Sequence, residues 1–327
     1  MKLVGSLVAI AFAGSVACMH ALAQGASDYP NRGITLVMPL APGSAGDVLG
    51  RLVAAGMAKE LGTHIVSENV TGASGAIGID RVLRAEPDGY TVLGTGDNQL
   101  IYAPLFNGRS KFDSVKDFAP ITQLAVLDWA LVASPAFPAK TIEEIITLAK
   151  ASPATINFAS GGPGSAQQIA MELLIARTGT NMTHVPYRGV TPGLNDVVAG
   201  QVQLMFTAVS VAAPFIPDGR LRVIATTGRE RSSLLPNVPT VAESGLPGFE
   251  FRTWMGLLAK AGTDPKIISK LNAAAVNAVK NPVIRLQLAA GGFVPLGNSP
   301  AEFGANIASD YKKIADIMQA AGIGANK

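Results

Sequence analysis

Cysteine is almost absent from this sequence: Cys18 is the only one in 327 residues. It lies in an N-terminal segment where Lys2 precedes an apolar run and small residues follow. We therefore predict a secretory signal peptide over residues 1–26, cleaved after Ala23. The mature chain would then hold no disulfide, no thiolate nucleophile and no cysteine-ligated metal. The alternative is lipidation of Cys18, although Ser15 stands where a lipoprotein cleavage box usually has an aliphatic residue.

Charged and aromatic side chains are also scarce. Charged residues make up 15% of the chain and aromatic residues 6%, and the net charge is only +3. Lysine and arginine are scattered, without a basic run or an aromatic-interleaved stripe, which argues against nucleic-acid binding. After the N-terminal segment, no stretch of sequence is long and apolar enough to span a bilayer. We therefore expect an exported, soluble protein.

Recognisable catalytic and cofactor motifs are missing as well. The sequence has no Gly-x-Ser-x-Gly nucleophile elbow and no Gly-Lys pair of a phosphate-binding loop. Gly94-Thr95-Gly96 lacks the third glycine of a dinucleotide fingerprint, where Gln99 stands instead. His64 and His184 are isolated in apolar contexts, which favours structural roles. No acidic or histidine cluster has metal-ligand spacing. We predict no catalytic residue, no cofactor and no metal site.

What the sequence does have is 48% hydrophobic residues, 35 glycines and 21 prolines, which is typical of an α/β protein with many turns. Its length favours about two domains. Strand-type runs alternate with helical patterns, and this predicts mainly parallel sheets with helices on both faces. In such sheets, ligands bind beyond the carboxyl ends of the strands.

The segment around which the chain is organised is Pro39–Asp47, the first small-residue turn. It follows the strand-type run Ile34–Met38 and precedes a helical pattern. The N–H groups in the first turn of a helix are unpaired and carry partial positive charge. Small side chains leave these groups open, so a carboxylate or phosphate can bind there. The plainer interpretation is a βα connection that only needs small residues to turn.

Ser160–Ser165, the second small-residue turn, lies in the same way between a predicted strand and a predicted helix, Ile156–Ala159 and Ala166–Arg177. Two apolar stretches, Ile121–Ser134 and Phe251–Leu258, are predicted to pass from one domain to the other. Three late helices would complete the first domain: Pro265–Lys280, Pro282–Ala290 and Pro300–Ala321.

Side chains near these turns suggest a binding site. Arg188 is suited to clamp a carboxylate through two N–H groups, with a surface or interdomain salt bridge as the alternative. Asp97 would repel a second carboxylate or bind an amine, unless it points away. Asp47 is expected to act as a helix cap rather than as an acid catalyst. The predicted ligand-binding residues are Pro42, Gly43, Ser44, Ala45, Gly46, Asp47, Asp97, Asn98, Gln99, Ser160, Gly162, Gly164, Ser165, Tyr187, Arg188, Thr207 and Ala208.

Several motifs, taken in order, resemble those of the Bug (Bordetella uptake gene) receptors, the substrate-binding proteins of tripartite tricarboxylate transporters. The resemblance covers essentially the whole mature chain. The motifs are Tyr29-Pro30, Pro39–Asp47, Glu68-Asn69, Thr71–Gly75, Pro87–Thr91, Ala159-Ser160, Gly162–Ser165, His184–Gly189, Gly200–Val202, Leu235–Thr240 and Glu243–Gly245.

The resemblance implies a type II periplasmic binding protein: two α/β domains with mainly parallel sheets, joined by two crossing segments, with a ligand cleft between them. Domain 1 would comprise residues 27–126 plus 250–327, and domain 2 residues 127–249. It also implies a periplasmic, monomeric, non-enzymatic receptor. Such a receptor holds a small organic carboxylate through backbone groups and ordered waters, and delivers it to the integral membrane subunits of the transporter.

Two departures from the family pattern argue against assuming a dicarboxylate ligand. Ser44 replaces the second glycine of a Gly-Gly pair, and Gln168 stands where relatives often have histidine. The sequence leaves the particular carboxylate or amino acid open. Two other functions also stay open: an exported α/β enzyme acting on a carboxylate, for which no nucleophile–base pair is spaced, and a receptor that feeds a signalling partner.

Overall fold

A computed structural model describes residues 29–108 and 110–324 of the chain. The predicted signal peptide, its cleavage site and Cys18 lie outside the described residues. Within those two ranges, no helix combines the length and the apolar character that crossing a membrane requires.

The described residues form ten strands and ten α-helices, which alternate through much of the chain. The strands are β1 Ile34–Met38, β2 Ile65–Asn69, β3 Thr91–Gly96, β4 Phe118–Ala133, β5 Asn157–Ser160, β6 Thr183–Pro186, β7 Leu204–Ala208, β8 Arg222–Thr226, β9 Arg252–Lys260 and β10 Phe293–Pro295. The helices are α1 Ala45–Leu61, α2 Ala76–Arg84, α3 Ala103–Asn107, α4 Ile142–Ala151, α5 Ala166–Thr178, α6 Val190–Val198, α7 Val209–Ala212, α8 Pro265–Lys280, α9 Pro282–Ala290 and α10 Pro300–Ala320. A π-helical turn occupies Asn98–Tyr102, and short 3-10 turns occupy Ala73–Gly75 and Ala213–Phe215.

Local sequence signals set many of the helix ends. Ser44 caps the start of α1, and Gly62, with a left-handed φ of 64°, ends it. The start of α10 has a complete capping box between Ser299 and Glu302. Asp264 caps α8, which opens with a proline. The three predicted late helices are confirmed, the last of them ending one residue earlier than predicted.

The strands form one ten-stranded sheet in the order β2-β1-β3-β9-β4-β7-β5-β6, with β10 and β8 also paired to β4. The pairs β1–β2, β1–β3, β5–β6 and β5–β7 are parallel, as helical crossover connections require. Strand β4 pairs antiparallel with β9 over Phe118–Asp128, then with β7 over Trp129–Ala133 and with β8 over Ala130–Ala133. It therefore runs from one half of the sheet into the other.

Strands β4 and β9 connect two lobes. Lobe 1 contains β1–β3, β10, α1–α3 and α8–α10, and lobe 2 contains β5–β8 and α4–α7. Each lobe is built from parallel βα units, and the two crossing strands were expected from their long apolar stretches. The predicted fold class is confirmed.

Each lobe has its own apolar core. In lobe 1, Leu49 of α1 and Leu271 of α8 belong to one buried cluster. In lobe 2, Leu194 of α6 and Met205 of β7 belong to another. A third cluster includes residues of both lobes, and α10 packs on α5 between them. The lobes are therefore in direct contact as well as joined by β4 and β9.

Side-chain contacts join β4 and β9 at the point where β4 changes its pairing partner in the sheet. The Trp129 main-chain N–H donates to Thr227 Oγ1 at 3.0 Å, and its indole Nε1–H donates to Thr253 Oγ1 of β9 at 3.0 Å. Beside it, Arg252 Nε lies 2.7 Å from Asp128 Oδ1. These contacts fix the orientation of Trp129 at the junction of the lobes.

Candidate functional site

The carboxylate of Asp47 stabilises the first small-residue turn through hydrogen bonds. Its Oδ2 accepts the N–H of Gly43 at 2.8 Å, and its Oδ1 accepts from Asn69 Nδ2 at 2.8 Å and Arg51 Nε at 2.9 Å. Burial alone raises the pKa of Asp47, but these donors outweigh it and keep the pKa below the ordinary value of 3.8. The N-cap of α1 is Ser44, so the prediction of Asp47 as the cap was wrong. Asp47 is the third residue of α1, and its side chain accepts the N–H of Gly43 in the preceding turn instead.

The first residues of α1 are left open by this arrangement. The N–H groups of Ala45 and Gly46 have no acceptor within the helix, because they precede the first hydrogen-bonded turn. Gly43, just before the cap, has a φ of +75° and open space around its Cα. Small side chains therefore leave main-chain donors accessible at this end of lobe 1.

A hydrogen bond to the Ser160 side chain likewise stabilises the second small-residue turn. Ser160 Oγ accepts the N–H of Gly162 at 3.1 Å and lies 2.6 Å from His184 Nε2. Burial lowers the pKa of His184, which favours the neutral ring in this pair. Ser165 is the N-cap of α5, but its Oγ makes no capping hydrogen bond and is buried without a partner. Ser160 thus stabilises the turn, while the first N–H groups of α5 stay unpaired.

Gly164 places the second turn against the other lobe. A Cβ at this position would lie 2.5 Å from the ring of Phe106 in α3, so glycine permits the approach. The Gly164 N–H donates to Gln168 Oε1 at 2.9 Å. Gln168 therefore anchors the turn.

Both turns border one cleft between the lobes, with a volume of about 380 Å³, which is in the range of small-molecule sites. Lobe 1 contributes the start of α1 and the end of β3, lobe 2 contributes the second turn and the start of α6, and β4 and β9 lie between them. The lining residues are Leu40, Ala45, Gly46, Gly96, Asp97, Asn98, Gln99, Leu127, Trp129, Gly161, Ser165, Ala166, Gln167, Gly189, Val190, Thr253, Trp254, Met255 and Phe293.

The structure brings part of the predicted set together in this cleft. The predicted residues among its lining are Ala45, Gly46, Asp97, Asn98, Gln99 and Ser165. Pro42, Gly43 and Ser44 precede Ala45 in the same turn, and Gly162 follows the lining residue Gly161. Thr207 and Ala208 lie on β7, paired with Ala130 and Trp129 of β4, outside the lining.

Tyr187 and Arg188 are also outside the lining of the cleft. The Tyr187 hydroxyl donates to Asp196 Oδ2 at 2.6 Å, and burial together with Asp196 raises the pKa of Tyr187 to about 12. Arg188 is exposed, and the structure gives it neither an ion pair nor a hydrogen bond in the part of the chain that it describes. The salt bridge considered for Arg188 is therefore not found there.

Thirteen lining residues are not in the predicted set, and five of these have polar or aromatic side chains. These five are Trp129, Gln167, Thr253, Trp254 and Phe293. The two tryptophans are 6% and 5% exposed, and Gln167 is 5% exposed. Gln167 makes no hydrogen bond to any described residue and faces the cleft. Its position two residues after the second turn was the one signal that could have identified it.

Asp97 is the only ionisable residue among the described residues that line the cleft. Its side chain is 3% exposed, and its Oδ2 accepts the Tyr102 hydroxyl and the Trp254 N–H, each at 3.3 Å. Burial, reinforced by the charge of Asp310, raises the pKa of Asp97 well above its ordinary value. The ionised form is therefore disfavoured in the ligand-free protein.

We expect Asp97→Asn to stabilise the ligand-free protein increasingly as pH rises above 3.8, the ordinary pKa of this side chain. Because the folded-state pKa is raised, the unfolded chain releases this proton first, and the free energy of unfolding falls as pH rises through the folded-state pKa. Asparagine does not titrate. Each unit of difference between the two pKa values is worth about 1.4 kcal/mol. Urea unfolding of both proteins over this pH range measures the gap; a gap that stays constant with pH would contradict the assignment.

A second cavity of about 300 Å³ lies within lobe 1 alone, between the Ala73–Gly75 turn and Phe112. It contacts neither crossing strand nor lobe 2. Movement of the lobes therefore does not enclose it, and we assign the candidate site to the cleft.

The fold and the cleft together define the class of this protein. Two α/β lobes, connected by crossing strands and enclosing a cleft where helices begin, are the architecture of type II periplasmic binding proteins. Proteins of this class hold a solute between their lobes and close by hinge motion.

Comparison with known proteins identifies the family. Residues 49–323 match the model of the "Tripartite tricarboxylate transporter family receptor", and the chain belongs to this family. It is 32% identical to Protein BugT of Bordetella pertussis over 302 residues, 91% of either chain. The chain is therefore a periplasmic solute-binding receptor of the Bug type, and not an enzyme.

Two solved structures of relatives contain ligands. The R. palustris protein Rpa4515 with adipate is 29% identical, with a TM-score of 0.76, and the match covers 91% of this chain and 99% of that one. MatC (Rpa3494) from Rhodopseudomonas palustris with bound malate is 32% identical, with a TM-score of 0.72, and the match covers 88% and 99%.

Proposed function

We propose that this receptor captures a small organic carboxylate in the interlobe cleft and delivers it to the integral membrane subunits of a tripartite tricarboxylate transporter. The observation that carries the proposal is that the starts of α1 and α5, one from each lobe, border the same cleft. Their unpaired N–H groups and helix dipoles provide positive potential for an anion. No lysine, arginine or histidine is among the described residues of the lining, so main-chain donors are the main source of that potential.

The ligands of the relatives support this choice of ligand class. Adipate and malate are both small carboxylates, and the two proteins that hold them share the fold of this chain over nearly its whole described length. A cleft of about 380 Å³ has room for a molecule of this size together with ordered waters.

Closure of the cleft is the second part of the proposal. We place domain 1 at residues 27–126 plus 250–327 and domain 2 at residues 127–249, so that the boundaries fall on the crossing strands. The change of partners along β4 at Asp128/Trp129 supports this division. A monomer released after cleavage at Ala23 would close on the ligand and present both lobes to the membrane subunits.

Thermal unfolding against a panel of carboxylates tests the proposal. A true ligand at about one hundred times its Kd should stabilise the folded protein by about 2.7 kcal/mol, and the melting temperature should rise with concentration. The panel contains adipate, malate, aliphatic and aromatic monocarboxylates and amino acids, each paired with its amide as the control. The amides should have little effect. If no acid shifts the melting temperature more than its amide, a carboxylate receptor is the wrong function.

A further inference from the structure

One side chain of the described cleft lining can ionise, and its ionised form is negative. Asp97 is the only acid or base among the described lining residues, and the other polar side chains there are neutral. Those neutral side chains are Asn98, Gln99, Ser165, Gln167 and Thr253. Two main-chain regions of positive potential, at the starts of α1 and α5, therefore share the cleft with one buried carboxyl group.

The Asp97 carboxyl group is held by neutral donors of the protein. Oδ2 accepts from the Tyr102 hydroxyl and from the main chain of Trp254, and the main-chain N–H of Asn98 also stabilises the ionised form. None of these donors carries a full positive charge, and Asp97 lines the cleft into which a ligand would bind.

Asp97 lacks a positive partner in the protein. No lysine, arginine or histidine shares the cleft lining with it, and Asp310, the charge with which it interacts most strongly, has the same sign. A buried carboxylate is stable only when it is paired or hydrogen-bonded. A cation brought by the ligand would supply the missing partner.

The surroundings of Asp97 also suit an ammonium group. Trp254, whose N–H binds Asp97, lines the cleft together with Trp129 and Phe293. Aromatic faces attract ammonium groups through the ring quadrupole, most strongly at desolvated sites. Gln167, 5% exposed and without a partner among the described residues, adds a neutral acceptor and donor on the side of lobe 2.

We propose that the ligand is a zwitterion, an amino acid or a related amino carboxylate, whose carboxylate lies at the starts of α1 and α5 and whose ammonium group pairs with Asp97. The inference rests on the proposed function and adds the second functional group of the ligand. A simple dicarboxylate would bring its second negative charge to a lining whose one ionisable residue is an acid, with no cation to offset it.

Matched pairs of ligands test the proposal by calorimetry. Each pair is an amino acid and the acid that lacks its amino group: L-glutamate and glutarate, L-aspartate and succinate, L-leucine and 4-methylpentanoate, L-phenylalanine and 3-phenylpropionate. We expect at least one amino acid to bind about tenfold or more tightly than its partner. Asp97→Asn should weaken that amino acid about tenfold or more and should not weaken the deaminated acid. Asp88→Asn, at a half-buried acid outside the cleft, is the control and should change neither.

The outcomes separate this inference from the proposed function. If deaminated acids bind as tightly as the amino acids, or if Asp97→Asn keeps the preference for the amine, the zwitterion is wrong and the carboxylate receptor stands. If no member of any pair binds, both are wrong. Asp97→Asn retains an oxygen acceptor for Tyr102 and Trp254, so unchanged circular dichroism and cooperative unfolding would show that any loss of affinity reflects the charge.

Discussion

Ala45→Asp is expected to abolish carboxylate binding while the fold stays intact. Ala45 is the first residue of α1, is exposed and lines the cleft. An aspartate there would take up the free N–H groups of the first turn and place a negative charge where the ligand carboxylate binds. Two unit charges about 4 Å apart repel by about 4 kcal/mol at an effective dielectric constant near 20. We therefore expect a loss of at least about one hundredfold in affinity by calorimetry.

Val48→Asp is the matched control for this prediction. Val48 lies three residues further along α1, is 49% exposed and is not among the residues that line the cleft. Acidic side chains near a helix N-terminus interact favourably with the dipole, so neither variant should lower the melting temperature. We expect Val48→Asp to bind like the parent protein. Equal affinities of the two variants would mean that the start of α1 does not hold the ligand.

Phe303→Ala is expected to lower the free energy of unfolding by about 3–5 kcal/mol, the usual cost of removing a fully buried phenylalanine. Phe303 is 0% exposed in α10, and its ring meets Trp254 edge to face at a centroid distance of 5.1 Å. A Cβ on Gly256 of β9 would come within 2.3 Å of the same ring, so the phenyl group fills the space over this strand. Removal of the phenyl group leaves a cavity next to Trp254, which lines the cleft.

The control for this second prediction is Phe112→Ala. Phe112 is half-buried in lobe 1 and packs edge to face on Phe118, the first residue of β4, at 5.8 Å; it is not among the residues that line the cleft. Its truncation should cost about 1 kcal/mol, because part of its surface is already in water. Urea unfolding measures both costs. Ligand affinity should fall only in Phe303→Ala, where Trp254 loses its support; equal affinities in the two variants would show that the orientation of Trp254 is unimportant.

The turns and the crossing strands were predictable because their signals are short-range. Small residues between a strand-type run and a helical pattern identify a helix N-terminus without knowledge of tertiary contacts, as at Ala45 and Ser165. The long apolar stretches identify β4 and β9 in the same way. The order of βα units then places the starts of the two helices at the ends of parallel strands, and the cleft lies where this order predicts.

The side chains that complete the site depend on pairing over long distances. Trp254 stands opposite Val126, and Thr253 opposite Leu127, through a register between strands more than one hundred residues apart. No local pattern reveals which face of such a strand meets the cleft. For the same reason, Ser160 was expected at the ligand but is bonded to His184, 24 residues away. Tyr187 is likewise bonded to Asp196 of the following helix.

A crystal structure of the complex with the most stabilising acid of the panel tests the central claim most directly. We predict that a ligand carboxylate lies in the interlobe cleft, with its oxygens about 2.7–3.2 Å from main-chain N–H groups at the starts of α1 and α5, directly or through one ordered water. A ligand bound in the lobe 1 cavity, or in the cleft with its carboxylate turned away from both helices, would contradict it.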